Sequence, residues 1–211
     1  MAITRLANSR FINEVNGSCG NACSDVIVVN AQVGLSLGTL DAPLGWPVAL
    51  GSALLNHSAG QEMRVSSDKL FRLETDDHIY RRLGKRPLKV GANLIARTAV
   101  AALGLLGRLR KPTGKPIPIS VTPNSIEGFC AIEVYPAATR IGHRALDQGG
   151  SFDGLRHLID VSLVSAVVQR SADAADATVC ALAAADFMLE KSEPPTDLKL
   201  ATTEGWIWAV R

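Results

Sequence analysis

The sequence has little aromatic character, few cysteines and no long apolar run. Aromatic residues make up 5% of its 211 residues, too few to propose a groove that binds nucleic acid by stacking bases on rings. No segment reaches the ~20 apolar residues that a membrane span needs, and the N-terminus lacks the apolar core of a signal peptide. The protein is therefore predicted to be cytoplasmic, with no membrane partner.

The four cysteines are Cys19, Cys23, Cys130 and Cys180. The first two form a CxxxC with no second pair and no nearby histidine, which does not match a zinc site. We expect all four to be reduced thiols without a metal. The sequence also has no G-x-S-x-G elbow and no phosphate-binding P-loop, which excludes those two enzyme classes at the level of motifs.

The overall charge is close to balance. The net charge is +2, so a nucleic-acid partner would have to be bound by local positive charge and not by the field of the whole protein. A content of 47% hydrophobic and 20% charged residues is typical of a globular chain. We expect a poorly ordered segment over residues 1–24, rich in Asn, Gly and Ser, and one domain over residues 25–211.

Strand and helix patterns alternate along the chain, which predicts an α/β sheet domain. Strands are predicted over residues 25–29, 33–41, 128–136 and 204–211. Helices are predicted over residues 48–57, 70–87, 93–109 and 154–166, and in the alanine-rich stretch after an N-capping Ser171. The helix over 93–109 is apolar around most of its circumference, so we expect it to be buried.

Four carboxylates occupy positions where chemistry is plausible. Asp41 ends a predicted strand, Glu133 interrupts an apolar one, and Asp173 and Asp176 share a face at the start of a helix. The helix pair has a simpler interpretation, because negative charge at an N-terminus complements the helix dipole. A carboxylate within a central strand is costly unless it is exposed, paired or metal-bound.

Open α/β sheets bind ligands beyond the carboxyl ends of their strands, where Asp41 is expected. Carboxylates that converge there would form an oxygen-rich pocket suited to Mg²⁺ or Mn²⁺. Two such ions activate water and stabilise a leaving oxygen in phosphodiester hydrolysis. The small alanines of the helix after Ser171 would let it lie close to the sheet and bring its aspartates near a strand end.

A basic cluster surrounds the TDD sequence that contains Asp76. Its members are Arg72, Arg81, Arg82, Lys85, Arg86 and Lys89. Two interpretations stay open: these side chains contact nucleic-acid phosphates, or they form a solvated helix face. His78 is likewise either a proton shuttle or a surface residue. Trp206 and Trp208 lie on one strand face, for core packing or for a partner.

Several motifs together carry a family resemblance. They are LDAPLGWP at 40–47, LETDDHIYRRLGKRPLKVG at 73–91, IEVYPAAT at 132–139, ADAADA at 172–177 and EGWIW at 204–208. In this order they resemble the bacterial domain-of-unknown-function family 429, described as predicted nucleases of RNase H-like fold. The ADAADA helix is also similar to the C-terminal acidic helix of RuvC-type Holliday-junction resolvases, where both aspartates belong to the metal site.

The resemblance implies an RNase H-like mixed sheet flanked by helices. It also implies metal-dependent hydrolysis of nucleic acid by Asp41, Glu133, Asp173 and Asp176. Asp41, Asp173 and Asp176 would bind Mg²⁺ or Mn²⁺, and Glu133 would be a further ligand or support them. Asp76 would match the family's TD motif, within the nucleic-acid-binding segment.

One departure from the pattern concerns the start of the domain. RNase H-like enzymes begin with a strand whose aspartate is the central metal ligand, whereas Asp25 precedes an apolar run and Asn30 ends one. The interval from Asn30 to Asp41 is too short for two more strands and a helix. We therefore expect part of the usual N-terminal strands to be missing, which would leave an unpaired strand edge and favour a homodimer.

Three functions are compatible with these observations. The first is a metal-dependent nuclease. The second is a catalytically impaired member of the fold that binds nucleic acid or protein. The third is a phosphotransferase of the related actin-like ATPase superfold, which is disfavoured because the sequence shows no glycine-rich phosphate loop.

Overall fold

A computed structural model describes residues 4–5, 26–31, 35–114, 117–122, 129–145, 153–162 and 165–211. These residues combine helices with a small, partly parallel sheet, which confirms an α/β class. The predictions of a poorly ordered start and of unliganded Cys19 and Cys23 fall almost entirely outside the described residues. None of the described helices is long and apolar enough to cross a membrane.

The main sheet has three strands in the order β2-β3-β4: β2 is Val26–Ala31, β3 is Leu35–Leu40 and β4 is Phe129–Glu133. β2 runs antiparallel to β3, and β3 runs parallel to β4. A second, two-stranded sheet pairs β1, Thr4–Arg5, with β5, Ile159–Asp160. The three predicted strands before residue 140 are thus confirmed.

Eight α-helices lie among the described residues. They are α1 Val48–Leu54, α2 Ser67–Phe71, α3 Glu74–Leu83, α4 Asn93–Thr113, α5 Pro136–Gly142, α6 Ser165–Arg170, α7 Ala172–Met188 and α8 Leu198–Glu204. Most connect or follow strands of the main sheet, as expected of an α/β domain.

Helix α7 packs on strands β2 and β3, and its small side chains explain the close fit. Ala183 and Ala184 are buried in a core cluster with Phe187 of the same helix, Leu37 of β3 and Ile132 of β4. Ser171 caps the helix as predicted, because its hydroxyl accepts a hydrogen bond from the Ala174 N–H at 3.3 Å.

Both C-terminal tryptophans belong to this same core. Trp208 is fully enclosed and its ring meets that of Phe187 edge-on, with centroids 4.6 Å apart. Each indole N–H donates to a backbone carbonyl, from Trp206 to Glu193 and from Trp208 to Ser120. The tryptophans therefore pack in the core, and the interpretation as a partner surface is wrong for both.

Several sequence predictions about elements were wrong. The helix over 154–166 is instead a 3-10 turn at Asp153–Leu155 followed by β5, and α6 starts only at Ser165. The helix over 70–87 is two helices, because the chain is extended at Arg72 and Leu73. The C-terminal strand is limited to single bridges, of Ile207 with Glu133 and of Val210 with Ser192.

Helix α4 is longer and less buried than its composition predicts. It continues through Pro112 to Thr113, whereas the sequence predicted that it ends at Leu109. Leu94 and Val100 are 62% and 61% exposed, while Ala99, Ala102 and Leu106 are buried. One face of α4 packs against the core, and the other meets solvent.

Candidate acidic site

Strands β3 and β4 end side by side, and this carries two predicted residues to one edge of the sheet. Leu40, the last residue of β3, is paired with Glu133, the last residue of β4. Asp41 follows Leu40 directly, and the Val134 N–H donates to the Leu40 carbonyl at 3.0 Å. Asp41 and Glu133 therefore lie at the carboxyl ends of two parallel strands. The sequence predicted this position for Asp41, whereas it placed Glu133 inside a strand that continues to Pro136.

We call the end of the sheet that carries Asp41 and Glu133 the acidic edge. The Glu133 carboxyl is buried within it. The residue is 2% exposed, and its Oε2 accepts a hydrogen bond from the Leu44 N–H at 3.0 Å. Burial raises its pKa to about 8, opposed by the Leu44 hydrogen bond and reinforced by the negative charges of Asp76 and Asp41. At neutral pH this carboxyl is therefore mostly protonated.

Asp76 is the second buried acid. It is the third residue of α3, and its Oδ2 accepts a hydrogen bond from the Leu73 N–H at 3.1 Å at the start of that helix. Burial raises its pKa to about 6, against the hydrogen bond from Leu73 and the charge of Arg72, which both lower it. The extended backbone at Leu73 that broke the predicted helix is thus what lets Asp76 cap α3.

A connection through the C-terminal segment holds α3 near strand β4. The Ile207 N–H donates to the Thr75 hydroxyl at 2.9 Å, and the Trp208 N–H donates to the Glu133 carbonyl at 3.0 Å. The segment around Ile207 therefore bonds to α3 on one side and to β4 on the other. This explains why the negative charge of Asp76 contributes to the raised pKa of Glu133.

Tyr135 is a site residue that the sequence reasoning missed. It lies two residues beyond Glu133, at the N-terminal boundary of α5, and is half-buried. Burial raises the pKa of its phenol, and the negative charges of Asp41, Asp76 and Asp176 raise it further. The phenol is therefore within the electrostatic influence of carboxylates from three separate parts of the chain. The available signal was an aromatic residue directly after an acidic strand end.

Of the two predicted metal-binding aspartates near the start of helix α7, only Asp176 makes a described contact. Asp176 forms an ion pair with Arg140 of α5, through Oδ1 and Nη1. Asp173 is exposed in the first turn, and within the described ranges it has no hydrogen bond or ion pair. Asp176 is thus joined to α5 and its charge acts on the Tyr135 phenol, whereas Asp173 is a solvent-facing charge in the first turn of α7.

A second polar contact joins the same two helices. His143 Nε2 and Asp186 Oδ2 share a hydrogen bond of 2.6 Å, with side chains that are 14% and 4% exposed. Polar side chains that are buried are normally hydrogen-bonded, and here each of the two residues supplies the hydrogen-bond partner of the other. This contact and the Arg140 pair hold α5 and α7 in one arrangement.

The positive charge of the predicted basic cluster is largely balanced by carboxylates. Arg81 pairs with Glu74, Arg86 with Asp77, Arg82 with Glu193, Lys89 with Asp68, and Arg72 with both Asp68 and Asp77. Lys85 is exposed, and no ion pair of it lies in the part of the chain described. Contact with nucleic acid stays a prediction for this cluster.

His78 contacts the C-terminal part of the chain. Its Nε2 is 3.5 Å from Glu193 Oε2, and its ring lies 4.8 Å from that of Trp206. The side chain of His78 therefore packs helix α3 against the C-terminal segment. Nothing in this arrangement supports the interpretation as a proton shuttle.

No family model, curated protein or solved structure matches this chain. The family resemblance of its motifs accordingly stays an expectation, and the function has to be argued from the geometry of the acidic edge.

The donor set at this edge suits a hard divalent cation. Asp41, Asp76, Glu133 and Asp176 offer carboxylate oxygens, the ligands that Mg²⁺ and Mn²⁺ prefer. Among the described residues, no three acidic, histidine or cysteine side chains are grouped closely enough to hold an ion by themselves. Mg²⁺ commonly binds through one or two carboxylates and keeps several waters. The pKa of Glu133 is raised mainly by burial and further by the negative charges of Asp76 and Asp41, and a cation would oppose both effects.

Proposed function

We propose that this protein is a divalent-metal-dependent nuclease with an RNase H-like fold, which hydrolyses phosphodiester bonds at the acidic edge. The observation that carries the proposal is the pair of buried carboxyls, Glu133 and Asp76, beside Asp41 at the ends of two parallel strands. Buried like charges are expensive, and such perturbed groups concentrate at sites of catalysis and ion binding. The edge of an α/β sheet at its carboxyl end supports the same assignment.

In this proposal Asp41 and Asp176 are the principal ligands, and Glu133 adds charge once its proton is displaced. Bound Mg²⁺ or Mn²⁺ would supply electrophilic stabilisation of phosphate oxygens and a more acidic water. Asp76, with a pKa near 6, is mostly ionised at neutral pH and suits proton exchange with water. The Tyr135 hydroxyl, among the same carboxylates, would orient a phosphate oxygen or a water by hydrogen bonding.

The second candidate is the non-catalytic module, and one observation favours it. Arg140 holds the Asp176 carboxylate, so that in this state a cation has to compete with a guanidinium for its ligand. If the pair is permanent, Asp176 serves only to dock α5 on α7. The fold would then bind a partner through other surfaces.

Cleavage assays separate the two candidates. Labelled single- and double-stranded DNA and RNA are incubated with the protein in Mg²⁺, Mn²⁺ or EDTA. We expect metal-dependent cleavage that falls at least ~100-fold in Asp41→Asn and in Asp176→Asn. Each substitution removes a carboxylate that would hold the metal ion, and with it the stabilisation of charge in the transition state. Absence of cleavage on every substrate in both metals would contradict the nuclease proposal.

Asp173→Asn is the matched control, because it makes the same change on the same helix at an exposed position. The structure leads us to expect near-wild-type cleavage in this variant. The resemblance to the resolvases implies instead that Asp173 is also a metal ligand. A loss as large as that of Asp176→Asn would favour the resemblance over the geometry.

A further inference from the structure

Arg140 combines a buried cation with an unsatisfied hydrogen-bond donor. It lies in the last turn of α5, and its side chain is 15% exposed. Nη1 pairs with Asp176, while Nε is buried and has no hydrogen-bond acceptor among the described residues. A buried donor on a charged group is costly without an acceptor, so this nitrogen marks a place where an anionic oxygen would be favourable.

The comparison with Arg72 makes Arg140 the stronger candidate. Arg72 also has a buried nitrogen without an acceptor, Nη1. Its charge, however, is balanced by two carboxylates, Asp68 at 3.2 Å and Asp77 at 3.7 Å. Arg140 pairs with a single carboxylate, Asp176, which is 39% exposed and is a ligand in the proposed nuclease site.

The planar guanidinium group matches the spacing of two phosphate oxygens. Its planar fork makes parallel charge-assisted hydrogen bonds to two oxygens, with Nε and a terminal nitrogen forming one such edge. In Arg140 this side of the guanidinium includes Nε, the donor that lacks an acceptor. Because Asp176 is a ligand in the proposed nuclease site, its ion pair with Arg140 places the guanidinium at the border of that site.

We propose that Arg140 is the substrate-binding residue that contacts a backbone phosphate of nucleic acid, and that it exchanges Asp176 for that phosphate when a divalent cation takes the Asp176 carboxylate. This inference rests on the proposed nuclease function. The exchange keeps every charge paired: the carboxylate passes from guanidinium to cation, and the guanidinium passes from carboxylate to phosphate.

The exchange predicts opposite effects on two ligands. Because Arg140 competes with the cation for Asp176 and repels it, Arg140→Ala should bind Mn²⁺ more tightly than the wild type. Because the phosphate contact is lost, the same variant should bind nucleic acid more weakly. An arginine that only docks α5 on α7 would weaken both or neither. The opposite signs are therefore the signature of the exchange.

The experiment compares the wild type with Arg140→Ala, Arg140→Lys and the control Arg170→Ala, which removes an exposed charge at the end of α6. Mn²⁺ alone is titrated calorimetrically. Binding of a short fluorescein-labelled single-stranded DNA is followed by anisotropy in Ca²⁺, with a gel to verify that the DNA is intact. Circular dichroism melts verify that each variant is folded.

For Arg140→Ala we expect DNA affinity to fall about tenfold or more, the effect of one charge-assisted hydrogen bond, and Mn²⁺ affinity to rise several-fold. Arg140→Lys should give intermediate DNA affinity, because it keeps the charge and loses the fork. Arg170→Ala should match the wild type. Unchanged DNA binding in Arg140→Ala, or weaker Mn²⁺ binding, would overturn the exchange, as would a wild type that binds no DNA.

The outcomes also separate the two proposals. A wild type that cleaves nucleic acid in Mn²⁺, with DNA affinity unaffected by Arg140→Ala, removes the role of Arg140 and leaves the nuclease standing. A wild type that neither cleaves nor binds Mn²⁺ removes both.

Discussion

At the residue scale, one glycine makes room for the buried Glu133 carboxyl, and a second makes room for the backbone of Glu204. A Cβ atom on Gly205 would lie 2.6 Å from Glu133 Oε2, and the backbone there has φ of +88°, which side-chain-bearing residues rarely adopt. A Cβ on Gly45 would overlap the backbone of Glu204. Glu204 in turn accepts hydrogen bonds from the N–H groups of Val48 at 2.8 Å and Glu74 at 3.1 Å. Glu204 and Gly205 of the EGW sequence thus pack against the acidic edge.

Gly205→Ala should therefore destabilise the protein by about 1–3 kcal/mol, the usual cost of a strained backbone at a non-glycine residue. The measurement is the free energy of unfolding in urea. Gly51→Ala is the matched control, since a Cβ there meets nothing within 4 Å and the residue lies in helix α1. That variant should be neutral or up to about 1 kcal/mol more stable. Equal free energies of unfolding in the two variants would show that Gly205 is not required for close packing against Glu133.

The pH dependence of stability follows from Glu133. Its pKa rises from an ordinary 4.5 to about 8 on folding, so the folded protein binds a proton that the unfolded chain has lost between those values. The stabilisation is complete below about pH 4.5, and it is lost as pH rises through 8. Asp76, raised from 3.8 to about 6, adds a slope of the same sign at lower pH.

We accordingly expect the unfolding free energy of the metal-free wild type to decline from about pH 5 to about pH 8, and Glu133→Gln to flatten that decline. Glutamine keeps an oxygen that accepts the Leu44 hydrogen bond and carries no titrating proton. Urea denaturation at several pH values provides the measurement. A wild-type curve that rises over this interval, or a variant with an equally steep curve, would be inconsistent with a buried, protonated Glu133.

At the element scale, local patterns identified the elements that carry their own signals. The alanine-rich helix α7 has a serine cap and many small residues. Strand β2 is dense in β-branched residues, β3 carries a leucine at every second or third position, and β4 is apolar up to Glu133. Helix α5 was missed because Pro136 was interpreted only as the end of a strand. Proline is also favoured in the first turn of a helix, and that is its role here.

Where tertiary contacts decide the conformation, local patterns failed. Ile159–Asp160 forms strand β5 because it pairs with Thr4–Arg5, more than a hundred residues away in sequence. The break before α3 reflects the hydrogen bond from Leu73 to Asp76, which a continuous amphipathic pattern conceals. Helical spacing of apolar residues over 154–166 could not reveal either pairing.

The contact of α7 with the sheet leads to a prediction for its alanines. Ala184 is fully buried against the cluster that includes Leu37 and Phe187, so Ala184→Leu should overpack it and cost about 1–3 kcal/mol. Ala172→Leu makes the same change at the exposed first residue of the helix and should have little effect. Thermal melts of both variants provide the check. Equal melting temperatures would show that α7 is not seated on the sheet in this way.

At the scale of the whole molecule, the sequence identified the acidic residues but not their arrangement. Asp41 was predictable because it ends a recognisable strand, and Glu133 because a carboxylate interrupts an otherwise apolar run. The burial of Asp76, the position of Tyr135 and the pairing of Asp176 with Arg140 depend on contacts between α3, α5, α7 and the C-terminal segment. Such contacts join residues far apart in the chain and leave no local pattern.

The measurement that tests the account most directly is calorimetric titration of the protein with Mn²⁺. We expect the wild type to bind at submillimolar affinity, and more tightly as pH rises towards 8, because the ion must displace the proton of Glu133. Asp41→Asn and Asp176→Asn should abolish binding, and Asp173→Asn should retain it. Absence of binding by the wild type, or binding that survives in both Asp41→Asn and Asp176→Asn, would contradict the assignment of the acidic edge as a metal site.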